Sequence, residues 1–385
     1  MRRRELISRF AIFASSLLVH PLLAACGVTQ EPSGSAADAD QAPTQGPPSP
    51  TPEVPTAAPS ARPSSSPPRG ASSLPADTPA PTPATARAAG AVALIKTEDR
   101  AEGVRRVIDL LGVDGLAGQR VLLKPNFNSA DPSPGSTHLD TLRALLDRLL
   151  AGGVGEVIVG DRSGMGNTRQ VMTALGVDDV LAEYGITPIA YDALAEDEWM
   201  LFTADGLHWR EGFPVPRLLN EVDAVVQTCN LKTHRYGGHF TLSLKNSVGL
   251  NADTWRGHSY MSELHGSPDQ RRMIAEINLA YKPTLIVLDG VQAFTDGGPD
   301  RGTIADAGVV LAATDRVALD AVGVALLRLL GTTPEVSRGS VFAQEQLARA
   351  VELGLGVSGP EEISLLTEDQ PGADLAQRLT EILRA

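Results

Sequence analysis

The sequence is poor in residues that form covalent or metal cross-links. Its 385 residues include two cysteines, and only 4% of the residues are aromatic. It has no CxxC, HExxH or GxSxG motif, which argues against the common zinc sites and against the serine nucleophile of α/β-hydrolases. Acidic residues are in excess: the formal net charge is −13, and residues 91–385 contain 26 basic and 40 acidic residues. Such a surface repels phosphates, so we expect no nucleic-acid partner.

Residues 1–26 have the layout of a bacterial signal peptide. An arginine-rich start is followed by an apolar stretch and by small residues before Cys26. Residues 23–26, LAAC, resemble a lipobox, in which the cysteine is lipidated; the alternative is an ordinary cleaved signal with a chance cysteine. Residues 3–7, RRELI, resemble the twin-arginine export motif, although general secretion signals also begin with arginines. We therefore expect lipidation at Cys26 and a lipid anchor on the extracytoplasmic face of the cell membrane.

Residues 27–90 are predicted to be a disordered linker. They contain no Phe, Trp or Tyr but hold 15 of the 28 prolines of the chain. Such a segment cannot bury enough apolar surface to offset the entropy cost of ordering. Its Pro/Ser/Thr/Ala composition is typical of a semi-rigid stalk that holds a domain away from a membrane.

Residues 91–385 predict a three-layer α/β/α domain with a mostly parallel sheet. Short apolar runs, typical of buried strands, alternate with amphipathic segments. The predicted strands cover 91–96, 120–126, 156–161, 186–191, 223–229, 284–290 and 307–315, and the predicted helices cover 101–112, 139–153, 168–176, 241–249, 269–281 and 315–330. Ligands bind beyond the carboxyl ends of parallel strands, so the polar residues there should meet on one rim. These are Lys124, Asn126, Asp161, Lys232, His234, Asp289, Thr314 and Asp315.

Two loops of this rim suit anion binding. The loop after Lys124 and Asn126 leads into a helix that is predicted to begin near Thr137. Ser136 or Thr137 could cap this helix, and its free N–H groups could hold an anion; a purely structural loop would have the same pattern. Residues 160–168, GDRSGMGNT, match neither a P-loop nor a dinucleotide fingerprint. A flexible loop is therefore favoured there, and Asp161 is the better functional candidate.

Residues 230–250, NLKTHRYGGHFTLSLKNSVGL, concentrate basic groups after a buried strand. Lys232 and His234 follow the strand, and a helix starting near Gly238 would place Thr241 and Lys245 one turn apart on one face. No acidic residue lies near Lys245 in sequence, which indicates a partly buried lysine. Such a lysine can bind an anion or, if its pKa falls, act as a base or an amine nucleophile. The alternative is a lysine that reaches solvent from the helix rim.

The histidine and aspartate patterns leave a metal ion open as an alternative. Four of the seven histidines lie at positions 234, 239, 258 and 265, but their spacing matches no strong ligand motif. Asp289 and Asp296 lie beside a Gly-rich turn and would suit acid/base partners, hard-metal ligands or turn formers. Cys229 is favoured as a buried strand residue over a nucleophile.

Several motifs in a fixed order resemble the prokaryotic family called domain of unknown function 362, over about residues 120–325. They are VLLKPNFN, VIVGD, the stretch at 230–250, IVLDGVQAFTDGGP and ATDRVALDAVG. The family's reaction is not established. Some members carry ferredoxin-type cysteines, which this chain lacks, so no iron–sulfur cluster is expected. The residues of this chain that match the family's motifs are Lys124, Asn126, Thr137, Asp161, Lys232, His234, Thr241, Lys245, Asn246, Asp289, Asp296 and Asp320. Asp320 lies inside a predicted helix, where we expect it to be a structural cap or a salt-bridge partner.

The sequence therefore predicts an enzyme that acts on a small carboxylate or phosphate. The predicted catalytic residues are His234, Lys245 and Asp289, with His234 moving protons and Asp161 or Asp289 orienting it or holding a metal. The predicted substrate-binding residues are Lys124, Asn126, Thr137, Asp161, Lys232, Thr241 and Asn246. One alternative is a lipid-anchored solute-binding protein that uses the same cations without catalysis, and another is a structural domain of the cell envelope.

Overall fold

The computed structural model describes residues 90–385, so the predicted signal peptide, Cys26 and nearly all of the linker lie outside the described residues. Its strands are β1 (Gly90–Lys96), β2 (Arg120–Lys124), β3 (Glu156–Asp161), β4 (Ile189–Ala190), β5 (Trp199–Phe202), β6 (Phe213–Pro216), β7 (Ala224–His234), β8 (His239–Thr241), β9 (Thr254–Trp255), β10 (His258–Ser259), β11 (Leu285–Gly297), β12 (Gly302–Ala313) and β13 (Ile363–Leu366). Its helices are α1 (Arg100–Leu111), α2 (Leu139–Ala151), α3 (Thr168–Ala174), α4 (Val177–Glu183), α5 (Ser243–Asn246), α6 (Tyr260–Gly266), α7 (Gln270–Ile277), α8 (Arg316–Leu330), α9 (Pro334–Ser337), α10 (Glu345–Glu352) and α11 (Gln370–Arg384).

The central sheet has nine strands. Eight follow the order β13-β1-β12-β11-β7-β2-β3-β4, and β8 pairs with the end of β7. The pairs β1–β13, β7–β11, β2–β7, β2–β3 and β3–β4 are parallel. Only β12, against both of its neighbours, and β8 run antiparallel. The predicted α/β fold with a mostly parallel sheet is confirmed.

Helices cover both faces of this sheet because successive strand residues point to opposite sides. In β1, Val92 and Leu94 pack in the core that α8, α10 and α11 complete. Ala93 and Ile95 pack in the core on the other face, which α1 and α2 complete. A third core joins the hairpin β5–β6 to α6 and α7. Each buried Val or Leu contributes about 1.5–3 kcal/mol, so these layers hold the strand ends in fixed positions.

The direction of β12 corrects one part of the predicted rim. Thr314 and Asp315 follow β12. Because β12 is antiparallel to β11 and β1, these two residues lie beside the amino ends of those strands, at the end of the sheet opposite the rim. There Asp315 caps α8 by accepting hydrogen bonds from the backbone N–H groups of Val317 and Ala318. The strand predicted to end at Gly290 is longer, because β11 passes through a bulge and continues to Gly297, and the Gly-rich segment then connects it to β12.

The predicted range 139–153 is correct at its start, whereas the predicted caps Ser136 and Thr137 and the helix start near Gly238 are wrong. The helix after the β2 loop begins at Leu139, and its cap is His138, whose Nδ1 accepts from the backbone N–H of Asp140 at 3.1 Å. The segment after Gly238 first forms β8, so α5 begins only at Ser243. No helix within residues 90–385 is both long and apolar enough to cross a membrane.

Candidate functional site

A cavity of about 300 Å³ lies at the rim where β2, β3 and β7 end. Its walls come from the loops after β2 and β3, from the end of β7 and from the segment that follows β8. The predicted site residues that line it are Asn126, His234, Thr241, Lys245 and Asn246. A larger cavity of about 640 Å³ near the start of β3 is lined by none of the predicted site residues. The rim cavity is therefore the candidate site.

The end of β7 positions His234. The predicted strand stops at residue 229, but β7 continues to His234 because β8 folds back on its last residues, with Lys232 opposite Thr241 and His234 opposite His239. Gly237, at the turn, has φ +81, a conformation that favours glycine. Both basic residues therefore belong to the sheet itself, which holds them more rigidly than a loop would.

Lys245 is a buried residue whose ammonium group has no acceptor among the described residues. The residue is 8% exposed and lines the cavity. Burial, and then the charge of Arg162, lower the pKa of Lys245 to about 8. A buried cation normally has a paired anion or several acceptors, because leaving water is costly. An unpaired one facing a cavity is therefore a candidate for binding an anion.

His234 lies beside Lys245 and is uncharged. A Cβ atom at Gly238 would lie 2.8 Å from both His234 Nδ1 and Lys245 Cε, so the two side chains flank the same backbone position. Burial, followed by the charges of Lys245 and Lys232, holds the pKa of His234 well below its usual value. Its Nδ1 accepts from the Gly238 N–H at 3.3 Å, so the neutral ring carries its proton on Nε2 and can donate from there.

Lys124, in contrast, is completely paired. Its Nζ donates to Asp161 Oδ1 at 2.7 Å, to Asn246 Oδ1 at 2.9 Å and to the carbonyl of Pro125 at 2.9 Å. Asp161 also accepts from the backbone N–H groups of Phe127 and Arg162. Burial lowers the pKa of Lys124 and raises that of Asp161, while each charge opposes the shift of the other. This buried ion pair lies behind the cavity and closes a structural network.

Lys232 is buried without reaching the cavity. Its Nζ donates to the backbone carbonyls of Gly135 and Pro299, and burial followed by the charge of Lys245 lowers its pKa to about 7. Pro299 lines the cavity. Lys232 therefore joins two loops and holds one wall of the site.

Asp289 is not brought to the cavity. It accepts from Arg100 Nε at 2.8 Å and from Thr141 Oγ1 at 2.9 Å, and these partners belong to α1 and α2 on the other face of the sheet. Asp296 accepts from the backbone N–H of Gly297 in the β11–β12 hairpin. Neither carboxylate is placed to orient His234.

The remaining predicted residues divide between structure and cavity. Thr137 Oγ1 accepts from the Asn126 N–H at 2.9 Å and so fixes the loop after β2. The Asn126 Oδ1 and Thr241 Oγ1 atoms are buried without a hydrogen-bond partner, and both residues line the cavity. Asp320 lies in α8 and accepts from the backbone N–H groups of Ser243 and Leu244 at 2.8 and 2.9 Å. It therefore caps α5 and fixes the helix that carries Lys245, in agreement with the predicted capping role.

Sequence reasoning missed Arg162 and did not give His265 a role in an anion site. Arg162 lines the cavity, and its guanidinium donates to the carbonyls of Asn251 at 2.7 Å, Ser163 at 3.0 Å and Val248 at 3.1 Å. The one signal for it is its place directly after Asp161 at a strand end. His265 lines the same cavity and has a pKa lowered chiefly by burial.

The cysteine and histidine patterns give no metal centre in the described region. Within residues 90–385, no group of three or more His, Cys, Asp or Glu side chains is placed to hold a metal ion. His239 and His258 do not line the cavity. Cys229 is buried in β7, and burial raises the pKa of its thiol well above the usual value.

Comparisons with known proteins found a relative in sequence, a similar solved structure and a matching family model. The thylakoid-associated protein sll1697 of Synechocystis sp. is 27% identical over 291 residues, which cover 71% of this chain and 85% of that protein. The lactate racemase apoprotein of Thermoanaerobacterium thermosaccharolyticum superposes with a TM-score of 0.36 and 16% identity over 59% of this chain and 54% of that chain. Residues 121–325 match the family model described as "Domain of unknown function (DUF362)". Since that match covers more than half of the chain, the protein belongs to the DUF362 family.

Proposed function

We propose that this protein is an enzyme that binds a small anionic substrate in the rim cavity, with Lys245 as the cation that holds the anion. The observation that carries the proposal is the buried ammonium of Lys245, which has no acceptor among the described residues. The same chain satisfies the buried Lys124 with three acceptors. A ligand anion would supply what Lys245 lacks; the Thr241 hydroxyl would donate to the ligand, and Asn126 Oδ1 would accept from an N–H or O–H group of it.

The proposed chemistry is proton transfer. A pKa of about 8 lets Lys245 gain and lose a proton near neutral pH, which general acid–base catalysis requires. The neutral His234 would donate from Nε2 to an oxygen that gains negative charge during the reaction. In this assignment Lys245 is the group that exchanges the proton, and Asp289 has no part in the reaction.

A solute-binding protein without catalysis is the second candidate. It is favoured by the placement of Asp161 and Asp289, the two carboxylates expected to support His234, which are held by Lys124 and by Arg100. The cavity then has a cation that can bind an anion, but it has no carboxylate paired with His234, which catalysis by a histidine–carboxylate pair would require. The two candidates share the role of Lys245 and differ only in proton transfer.

A lipid anchor at Cys26, followed by a stalk over residues 27–90, belongs to the same proposal. It would place the α/β domain, residues 91–385, outside the cytoplasmic membrane. Support comes from the lipobox-like residues 23–26 and from the relative that is named as thylakoid-associated. Mass spectrometry of the protein isolated from membranes should show a lipid-modified Cys26 at the mature N-terminus, and a Cys26→Ser variant should leave the membrane fraction.

The binding test compares Lys245→Met with Lys282→Met in the full-length protein. Lys282 is exposed and serves as the matched control. Calorimetry with butyrate, succinate and inorganic phosphate should show that Lys245→Met weakens the tightest of these ligands by about 100-fold, as expected for losing a hydrogen-bonded buried charge. Lys282→Met should bind as the unmodified protein does. Equal affinities in both variants would remove Lys245 from the site.

The pH dependence gives an independent check. Because the ammonium form binds the anion, affinity should be constant up to about pH 8 and fall by up to tenfold per pH unit above it. Lys245→Arg keeps its charge, so its affinity, even if weaker, should not fall there. Deuterium incorporation from D₂O into the bound ligand, followed by NMR, separates the two candidates: exchange that is lost in Lys245→Met supports the enzyme, and binding without exchange supports the solute-binding protein.

A further inference from the structure

The charges around the cavity are arranged along its depth. The charged residues that line it are Lys245 and Arg162, which are buried, and Asp192 and Asp253, which are exposed. The two lining histidines have pKa values lowered by burial. The buried charged residues of the lining are therefore positive, and its exposed charged residues, which we call the mouth, are negative.

Only one of the two cations is available to a ligand. Three nitrogens of Arg162 donate to backbone carbonyls, and Asp253, Asp161 and Asp192 all act on its charge. The ammonium group of Lys245 makes no hydrogen bond or ion pair within residues 90–385. One available ammonium matches one negative charge, which a carboxylate carries, whereas a phosphate monoester carries close to two at neutral pH.

The acidic mouth sets a second requirement. The side chain of Asp253 makes no hydrogen bond or ion pair in the part of the chain that the structure describes, so its oxygens can accept from a ligand while its charge also acts on Arg162. Asp192, the other exposed carboxylate of the lining, accepts from the backbone N–H of Thr168 at 2.9 Å, which holds it in place. A ligand with a second anionic group would meet like charge there, and a ligand with an ammonium group would meet opposite charge.

We infer that the substrate is a small amino carboxylate, with its carboxylate on Lys245 and its ammonium toward Asp253 and Asp192. The inference rests on the proposed function and narrows its substrate class. A cavity of about 300 Å³ is at the lower end of the range for small-molecule sites, which suits a molecule of this size. The unpaired Asn126 Oδ1 and Thr241 Oγ1 offer further acceptors to ligand N–H groups.

The test measures the affinity of the full-length protein for five four-carbon probes: 2-aminobutyrate, 4-aminobutyrate, butyrate, succinate and butylamine. At least one aminobutyrate should bind more than about tenfold tighter than butyrate, and succinate should be the weakest carboxylate. Butyrate or succinate binding as tightly as both aminobutyrates would overturn the amino-carboxylate assignment. Two positions of the amino group are included because the charge pattern fixes its sign and not its distance from the carboxylate.

Variants locate the effect at the mouth. Asp253→Asn should bring the affinities for the preferred aminobutyrate and for butyrate to within about threefold of each other. Asp205→Asn removes an exposed carboxylate that does not line the cavity and should keep the full preference. Asp192→Asn, which can still accept from Thr168, should reduce the preference in the same direction. An undiminished preference in both mouth variants would contradict the inference.

The outcomes also separate this inference from the proposed function. If succinate or butyrate binds best and Lys245→Met still abolishes binding, the anion site stands and the substrate class is wrong. If no probe binds at about 10 mM, or if Lys245→Met binds them all normally, the proposed anion site itself fails.

Discussion

Lys124 and Lys245 are two buried lysines at neighbouring points of one rim, and the structure treats them in opposite ways. Lys124 is fully buried and donates to three acceptors, one of them the carboxylate of Asp161. Lys245 is nearly as buried and has no acceptor within residues 90–385. Burial costs both charges their hydration, and only Lys124 recovers it within the protein. We infer from this difference that Lys124 stabilises the fold and that Lys245 is available to bind a ligand.

The paired lysine also helps to position the unpaired one. Asn246, next to Lys245 in α5, accepts from Lys124 and donates to the carbonyl of Thr228. Gly249 lets the following backbone approach the ion pair, since a Cβ there would lie 2.3 Å from Asp161 Oδ1. The segment that carries Lys245 is therefore anchored to the Lys124 network, and disrupting that network should reach the cavity.

The largest effect is expected from Lys124→Met. Removing this ammonium leaves the buried carboxylate of Asp161 without its cation, which typically costs about 3–5 kcal/mol in the free energy of unfolding. Denaturant unfolding of the full-length protein, with Lys282→Met as the exposed control, measures the loss. A loss no larger than that of the control would show that Lys124 is not a structural lysine.

A smaller effect of opposite sign is expected from Lys245→Met. Replacing an unpaired buried ammonium by an apolar side chain of similar length removes its desolvation cost and should raise the free energy of unfolding by about 1–2 kcal/mol. The gain should shrink above pH 8, where the folded protein begins to lose this proton, and should disappear only above the ordinary lysine pKa of about 10.4, where the unfolded chain loses it too. A Lys245→Met variant less stable than the unmodified protein at pH 7 would show that this side chain has a structural partner.

Much of this arrangement follows from sequence and some of it does not. Alternating apolar runs predicted β1, β2, β3 and β7, and the strand-end rule placed Asn126 and His234 at the rim. The antiparallel direction of β12 cannot be predicted from such a pattern, because a buried strand has the same apolar residues whether it runs parallel or antiparallel to its neighbours. This is why Thr314 and Asp315 were expected on the wrong edge.

The distinction between the lysines could not be read from the sequence. Lys124 meets Asp161 and Asn246 across 37 and 122 positions of the chain, and such pairings depend on how the strands are ordered. Asp289 shows the same limit. It lies near the end of a predicted strand, where it was expected to face the site, but its hydrogen-bond partners are Arg100 and Thr141. Residue type and local pattern predicted five of the residues that line the cavity, and the order of the strands decides which of the other predicted residues do not reach it.

The most direct test of the account is the pKa of the Lys245 ammonium. The chain has five lysines, so NMR of protein labelled with ¹⁵Nζ-lysine gives few signals, and Lys245→Arg identifies the relevant one. We predict a pKa of about 8 for Lys245 without ligand. The pKa should rise when the tightest-binding carboxylate probe saturates the site, because a bound anion stabilises the charged form of the lysine. A pKa near the ordinary value of about 10.4 that does not change with ligand would contradict the account.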